Sequence, residues 1–459
     1  MFEPHEFNKN ILRAYDIRGI VKETLNSIDA ERLGNIFASS FRNESKKIIV
    51  CRDGRLSSPD LVKSLKKGLL ESGADVIDIG LGPSPMLYYA ANHLKSDGAI
   101  MVTGSHNPSN HNGFKIMKGT VPFFGDDISD IGLRGLNSDW SYSLGSSKNY
   151  YIEDEYIKTL LESTKINNLK KNIKVVWDPG NGAAGDIIKK LVRCLPGEHI
   201  LINEDIDGSF PAHHPDPTDP KNLEELISIV KNNNFDVGVA FDGDGDRLGL
   251  VSGKGNIIWG DQIVALLSQE VLKDHPNSPI IADVKASQTL FNEIKRLGGI
   301  PVMWKTGHSF IKSKMKEISS PLAGEMSGHI FFSDRYYGYD DGIYAALRVL
   351  ELICDNYSLD DFLNSLPKTF STQEIKINCP DEVKFSIIKD LSLLLDKAGL
   401  IVNKIDGLRV QKDSGWWLLR ASNTQAVLVA RIEADSQDSL NKLQEELSYY
   451  LKKFDLSLK

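Results

Sequence analysis

The chain has 459 residues, 41% of them hydrophobic and 25% charged, with a formal net charge of −8. That length exceeds what one hydrophobic core serves, so three or four domains are expected. The acidic balance argues against a nucleic-acid surface, and no apolar run is long enough to span a bilayer.

The opening Met1-Phe-Glu-Pro-His-Glu6 lacks the basic and apolar regions of a signal peptide. Cys51, Cys194, Cys354 and Cys379 are scattered and read as reduced structural thiols of a cytoplasmic protein. If the ligand is an anion, individual Arg and Lys side chains must capture it locally.

Tyr15-Asp16-Ile17-Arg18-Gly19 comes first and reads, on its own, as an ordinary strand and turn. A strand Lys47–Val50 then runs into Arg52-Asp53-Gly54-Arg55. Leu61–Leu70 has helical spacing, Asp75–Ile79 is a second strand, and Gly98–Val102 is a third. The third ends in Thr103-Gly-Ser105-His-Asn-Pro108. Pro108 restricts how that turn closes, and Ser105 falls where α/β proteins place ligand chemistry, at the C-terminal end of a buried strand.

The order returns twice. Strand Ile173–Trp177, helix Asp186–Leu195, strand His199–Ile202 and helix Leu223–Lys231 lead to strand Asp236–Phe241, which runs into Asp242-Gly-Asp-Gly-Asp-Arg247. Strand Pro279–Ala282 ends near Asp283 and Lys285. Helix Gln288–Leu297 and strand Ile300–Trp304 lead to Lys305-Thr-Gly-His308, and helix Phe310–Ile318 precedes Pro321-Leu-Ala323, which enters Gly324-Glu-Met-Ser-Gly-His329. Strands alternating with helices imply βαβ units and mostly parallel sheets. The fold class expected is α/β: three tandem similar α/β domains with mixed, mostly parallel sheets, plus a C-terminal α+β domain, around a central cleft. The divisions fall at 1–150, 151–254, 255–367 and 368–459. Lys118 to Tyr150, rich in Gly, Ser, Asp and Asn, reads as a link between the first two copies. In the last domain, strands at Glu374–Asn378, around Asp413–Gly415, at Trp416–Leu419 and at Ala426–Arg431 flank helices Val383–Ala398 and Leu440–Phe454.

Asp242, Asp244 and Asp246 alternate with glycines that let the backbone bend tightly enough for them to converge. Two unit charges about 4 Å apart cost on the order of 4 kcal/mol at an effective dielectric near 20. Either the carboxylates splay into solvent or a cation holds them. An EF-hand shares the Asp spacing but needs Gly at the sixth position and Glu at the twelfth, where this chain has Arg247 and Gly253. A hard divalent ion, magnesium, with open positions for a phosphate fits the oxygen donors better. Arg247 suits phosphate through its planar fork.

Gly180-Asn-Gly182-Ala-Ala-Gly185 matches the dinucleotide fingerprint, between a strand and a helix, with Glu204 near the required offset. Asp178-Pro179 intervenes, however, and Pro is awkward in that turn. No G-x-x-x-x-G-K-[ST] loop occurs. A nicotinamide-dependent oxidoreductase therefore stands as the rival reading, and a non-catalytic phosphosugar-binding protein as a third. The second has no need of Ser105, and the third needs neither Ser105 nor three acids.

Taken together, Thr103–Pro108 with Asn112-Gly-Phe-Lys115, the Asp242–Arg247 loop, Gly324–His329 and Arg420-Ala-Ser-Asn-Thr424 resemble the α-D-phosphohexomutase family, most closely its bacterial phosphomannomutase/phosphoglucomutase members, over nearly the whole chain. The resemblance implies interconversion of hexose 1-phosphate and hexose 6-phosphate through a phosphoserine and a 1,6-bisphosphate that turns end over end. It implies that Ser105 carries the phosphoryl group, that Asp242, Asp244 and Asp246 hold magnesium with a phosphoserine oxygen as a further ligand, and that Arg247 sits beside that phosphate. It further implies that Glu325 and Ser327 bond sugar hydroxyls and that Arg420, Ser422, Asn423 and Thr424 clamp the non-reacting phosphate. Tyr15, Arg18, Lys115, Lys285, His308 and His329 would line the cleft, with Lys115 and His329 the candidates for acid/base work. Hexose 1,6-bisphosphate would be the activator and a phosphosugar the partner, with a monomer or dimer both compatible. Met326 resembles the mannose/glucose members; phosphoglucosamine mutases tend to carry Gln there and remain the alternative. One departure stands out: Gln425-Ala426 follows the clamp where the family usually has Glu or Gln and then Pro, which implies a looser backbone there.

Overall fold

The computed structural model describes residues 3–41, 46–166, 172–423 and 425–458. The apolar runs become buried strands because both of their faces are covered. Gly98–Val102 and Val237–Phe241 are buried at every position.

The first three sheets share one plan. In the first, Lys47–Arg52 lies between parallel neighbours Asp75–Leu81 and Gly98–Val102, and His111–Lys118 returns antiparallel beside Gly98–Val102. In the second, Lys174–Asp178 lies between Glu198–Leu201 and Val237–Phe241, and Leu248–Ser252 returns antiparallel. In the third, Pro279–Asp283 lies between Ile300–Trp304 and Leu322–Gly324, and Ile330–Phe332 returns antiparallel. The tandem repeat is real, and each copy has a fourth, antiparallel strand that the sequence reading did not separate. Its effect is to make each distinctive loop the turn of a hairpin at the C-terminal end of a parallel strand.

Ile17–Ile20 adds an antiparallel edge beyond His111–Lys118. The stretch read as a link is part of the first unit instead: it carries the helix Asp126–Leu136 and the strand Ser146–Asn149, which pairs parallel with Asp75–Leu81. The last sheet is wholly antiparallel, with Val427–Ala434 paired to Gly415–Ala421, Ile375–Asn378 and Phe370–Ser371. Helices Asp381–Lys397 and Gln437–Leu451 accompany it.

One continuous core joins the first three units, running through Ile49, Trp177, Leu266 and Tyr344. The fourth has its own core around Trp417, Leu428 and Leu447. It meets the third through a small cluster of Val284, Trp416 and Leu418. Of the four cysteines only Cys194 is exposed. Among the described residues no helix is long and apolar enough to cross a membrane.

Close packing leaves a mark on the first unit. Helix Ser27–Ser39 starts from a capping box between Asn26 and Asp29 and lies across helix Ser58–Glu71. Glycines allow the approach: a Cβ on Gly68 would sit 1.9 Å from the Glu31 carbonyl oxygen. Gly68→Ala is expected to push the helices apart and cost about 1–3 kcal/mol, as overpacking does, read as a lowered thermal midpoint.

Candidate active site

The Gly98–Val102 hairpin presents Ser105, which adopts a left-handed φ of 49° that residues other than Gly rarely take. The loop is held there from behind. Asp53 accepts from the Thr103 hydroxyl at 2.8 Å and the Gly104 N–H at 3.1 Å. The fully buried Arg55 guanidinium donates to the carbonyls of Ser105 (2.7 Å), Asn107 (2.5 Å), Pro108 (2.5 Å) and His111 (3.0 Å). Its Nε lies 3.2 Å from Asp53. The positive φ is thus fixed by hydrogen bonds to the loop's own carbonyls.

Ser105 Oγ donates to Asp242 at 2.9 Å. The second hairpin comes so close that a Cβ on Gly243 would lie 2.4 Å from the Ser105 carbonyl oxygen. The glycines of the dinucleotide-like motif serve this loop. Ala183 N–H donates to the Gly243 carbonyl at 2.9 Å, and a Cβ on Gly185 would strike the Glu204 carbonyl at 2.2 Å. The Ala183 N–H, which a dinucleotide site would turn to a pyrophosphate, is thus taken by the metal loop, and this weighs against the oxidoreductase reading.

Asp242, Asp244 and Asp246 are each fully buried, and their ligand atoms lie within 4.8 Å of one another. Burial, then the charges of Asp244 and Asp246, push the Asp242 carboxyl well above its ordinary range. Burial also works against charge on Asp246, but Lys115 and His329 outweigh it and hold that carboxyl well below the usual range. Lys115 bonds Asp244 at 2.6 Å and also bonds Asp246. Burial opposes its charge and these carboxylates override it, so the ammonium is strongly retained. Asp244 Oδ1 is buried without a hydrogen-bond partner. One ammonium against three carboxylates and an orphaned oxygen is a donor set that fits a hard divalent cation. A second convergence, Asp246 with His329 and Asp340, already holds a cation, since Lys312 bonds Asp340 at 2.8 Å.

The third hairpin brings Glu325, Ser327 and His329 against the metal loop. Leu248 N–H donates to the Gly328 carbonyl at 2.9 Å. His329 Nε2 lies 3.2 Å from Asp246 and 3.3 Å from Arg247 Nε, while Nδ1 is 2.8 Å from Glu325 and 3.2 Å from the half-buried Ser327. Burial disfavours the imidazolium, but Asp246 and Glu325 raise it to about 9. Glu325 also accepts the Gly307 N–H at 2.6 Å, beside His308, whose ring is 5.8 Å from Tyr15. Arg18 bonds Asp16 at 2.6 Å and Asn107 of the serine loop at 3.1 Å.

A second group forms between the third and fourth units. Lys285 pairs with Glu374 at 2.6 Å, and Arg420 with Asp406 at 3.0 Å. Asp406 also accepts the Thr306 N–H at 3.0 Å. Ser422 and Asn423 follow Arg420 on the same loop; Thr424 lies outside the described residues. Tyr15 stands between the groups, its phenol raised by burial and Asp16 and lowered by Arg420. The four loops, from four units, therefore converge as two adjoining clusters. The carboxylates that pair the cations, Glu374, Asp406 and Asp340, were not singled out from sequence, nor were Asp53 and Arg55. For Asp53 and Arg55 a signal existed: a charged Arg-Asp-Gly-Arg run closing a buried strand.

This geometry is that of a phosphoryl-transfer site. Family models described as phosphoglucomutase/phosphomannomutase α/β/α domains I, II and III match residues 9–131, 154–255 and 259–370, and the C-terminal domain model matches 374–448. The chain belongs to the phosphoglucomutase/phosphomannomutase family. It is 46% identical over 444 residues to a phosphomannomutase/phosphoglucomutase of Pseudomonas putida, covering 96% of this chain and 95% of that one. It is 43% identical to one of Pseudomonas aeruginosa, covering 98% and 97%. A crystal structure of a phosphoglucomutase/phosphomannomutase family protein from Burkholderia thailandensis superposes with a TM-score of 0.90 at 40% identity, covering 97% of both chains.

Two expectations follow. Arg55→Met leaves Asp53 buried without its counter-ion and is expected to cost about 3–5 kcal/mol, seen in denaturant unfolding, with part regained in Asp53→Asn/Arg55→Met. The Glu374 carboxylate loses from burial but gains more from Lys285, which holds it down to about 2 from 4.5. A depressed carboxyl stabilises the fold above its ordinary value and loses that contribution as pH falls through the folded one. The thermal-midpoint difference between wild type and Glu374→Gln should be constant above about pH 5 and shrink towards pH 2.

Proposed function

We propose that this chain interconverts the 1- and 6-phosphates of mannose and glucose, with Ser105 as the phosphoryl carrier and hexose 1,6-bisphosphate as intermediate and activator. The observation that carries the reading is the seating of Ser105 Oγ 2.9 Å from Asp242, at the edge of three buried carboxylates and beside Lys115, Arg247 and His329. A binding protein would have no use for a hydroxyl driven into that charge.

Asp242, Asp244 and Asp246 would hold magnesium, which when bound draws charge from phosphoryl oxygens. The protein's own groups do the rest. Phosphoserine brings roughly −1.5 to −2 charge, and Arg247 is placed to pair with it. Glu325 and Ser327 bond the sugar hydroxyls and set which one faces Ser105. In the forward step a sugar oxygen bonds phosphorus as the Ser105 Oγ–P bond breaks. Lys115, whose ammonium is retained, would give the proton that Oγ regains, and the neutral form of His329 would take the one the sugar hydroxyl loses. Arg420, Ser422 and Asn423 hold the phosphate that does not react, and Tyr15, Arg18, Lys285 and His308 line the path in which the bisphosphate turns. Closure of the fourth unit over the cleft would keep water from the phosphoserine. The scattered cysteines fit a reducing cytoplasm.

Phosphorus NMR tests the reading. Protein with magnesium and a trace of hexose 1,6-bisphosphate is given mannose 1-phosphate, glucose 1-phosphate or glucosamine 1-phosphate in parallel. A 6-phosphate signal is expected in the first two tubes with wild type and in none with Ser105→Ala, a loss of at least about 10³-fold. Conversion of glucosamine phosphate alone would overturn the substrate assignment; conversion by Ser105→Ala would overturn the carrier.

A further inference from the structure

The loop after Arg420 ends in Gln425-Ala426, where the family resemblance implies a looser backbone, yet this backbone is pinned. Lys384, in the first turn of helix Asp381–Lys397, is 3% exposed. Its ammonium donates to the Ser422 carbonyl at 2.5 Å, the Gln425 carbonyl at 3.1 Å and Asp381 Oδ1 at 2.6 Å. All three protons are therefore used. Asp381 in turn accepts from Arg13 of the first unit at 3.3 Å, two residues before Tyr15. The loop is tied further by Gln425 N–H on Ser422 Oγ (3.1 Å) and Cys379 N–H on the Ala426 carbonyl (3.1 Å).

A trans peptide carries its C=O and its N–H on opposite sides, and no described peptide bond is cis. Drawing the Ser422 carbonyl onto Lys384 turns the Asn423 N–H the other way. A single backbone N–H turned outward can donate to an anion oxygen. A buried ammonium behind the loop also adds positive potential where water does not screen it.

We propose that Lys384 is a positioning residue for phosphate recognition. By holding the Ser422 and Gln425 carbonyls it aims the Asn423 N–H at the substrate's non-reacting phosphate, and through Asp381 it links that setting to Arg13 of the first unit. The proposal rests on the phosphosugar reading above. Lys384 touches neither the reacting serine nor the carboxylates, so its effect falls on binding.

The test needs no turnover. Glucose 6-phosphate binding to full-length Ser105→Ala protein is measured by calorimetry, then repeated with Lys384→Met, Lys384→Arg and Asp381→Asn added singly. Lys384→Met is expected to weaken binding at least about tenfold, Lys384→Arg to recover most of it, and Asp381→Asn to fall between. In the enzyme that retains Ser105, Lys384→Met is expected to raise KM with kcat within about threefold, the pattern of lost uniform binding. Parent-like affinity in Lys384→Met overturns the proposal. If Lys384→Met does not fold, Asp381→Asn decides, weaker binding supporting the proposal and parent affinity overturning it. If the parent itself does not bind, the phosphosugar reading fails first and takes this inference with it.

Discussion

Mutual repulsion among three buried carboxylates is the constraint around which the molecule is arranged. Asp242, Asp244 and Asp246 sit on one tight loop with no access to water, so their charge must be met by other side chains or by a bound cation. Each neighbouring unit answers it. The first sends Lys115, and Ser84 from a helix start bonds Asp244. The third sends His329, steadied on its far side by Glu325. The same loop is thereby a charge centre and the seam at which the first three units meet.

That seam explains a difference in how the units are joined. The first three share one continuous apolar core. The fourth is held largely by polar bonds, such as Arg409 on the Val284 and Ala286 carbonyls and Lys285 on Glu374. Apolar burial is non-directional and gives a rigid body. Directional bonds around a small apolar contact can be remade in a second arrangement. The wall that carries Ser105 is thus stiff, and the wall that carries the Arg420 loop is the one able to move.

Much of this was legible in the residues. Continuous apolar runs marked the buried strands, and the odd loops closing Gly98–Val102, Val237–Phe241 and Leu322–Gly324 marked the chemistry. The returning strands His111–Lys118 and Leu248–Ser252 were harder to see, because a buried antiparallel strand lacks the two-residue alternation that betrays an exposed one. Lys118–Tyr150 read as a link because its composition is polar, yet its edge strand Ser146–Asn149 is exposed and needs no apolar residues. Arg55 and Lys384 escaped notice for another reason. Both act by donating to main-chain carbonyls far along the chain, and a carbonyl has no letter in the sequence.

The hairpin that carries each loop has an evolutionary consequence. Both ends of the loop are fixed by ladder pairing, Val102 with Phe114, Phe241 with Leu248 and Gly324 with Ile330. Whatever lies between can lengthen, shorten or change its chemistry without shifting the register of the sheet beneath. A single ancestral unit, copied twice, could therefore diverge into a loop bearing Ser105, a loop of three carboxylates and a loop bearing Glu325 and His329 while its framework stayed the same. Specialisation was confined to the turns, and the sheets were free to remain duplicates.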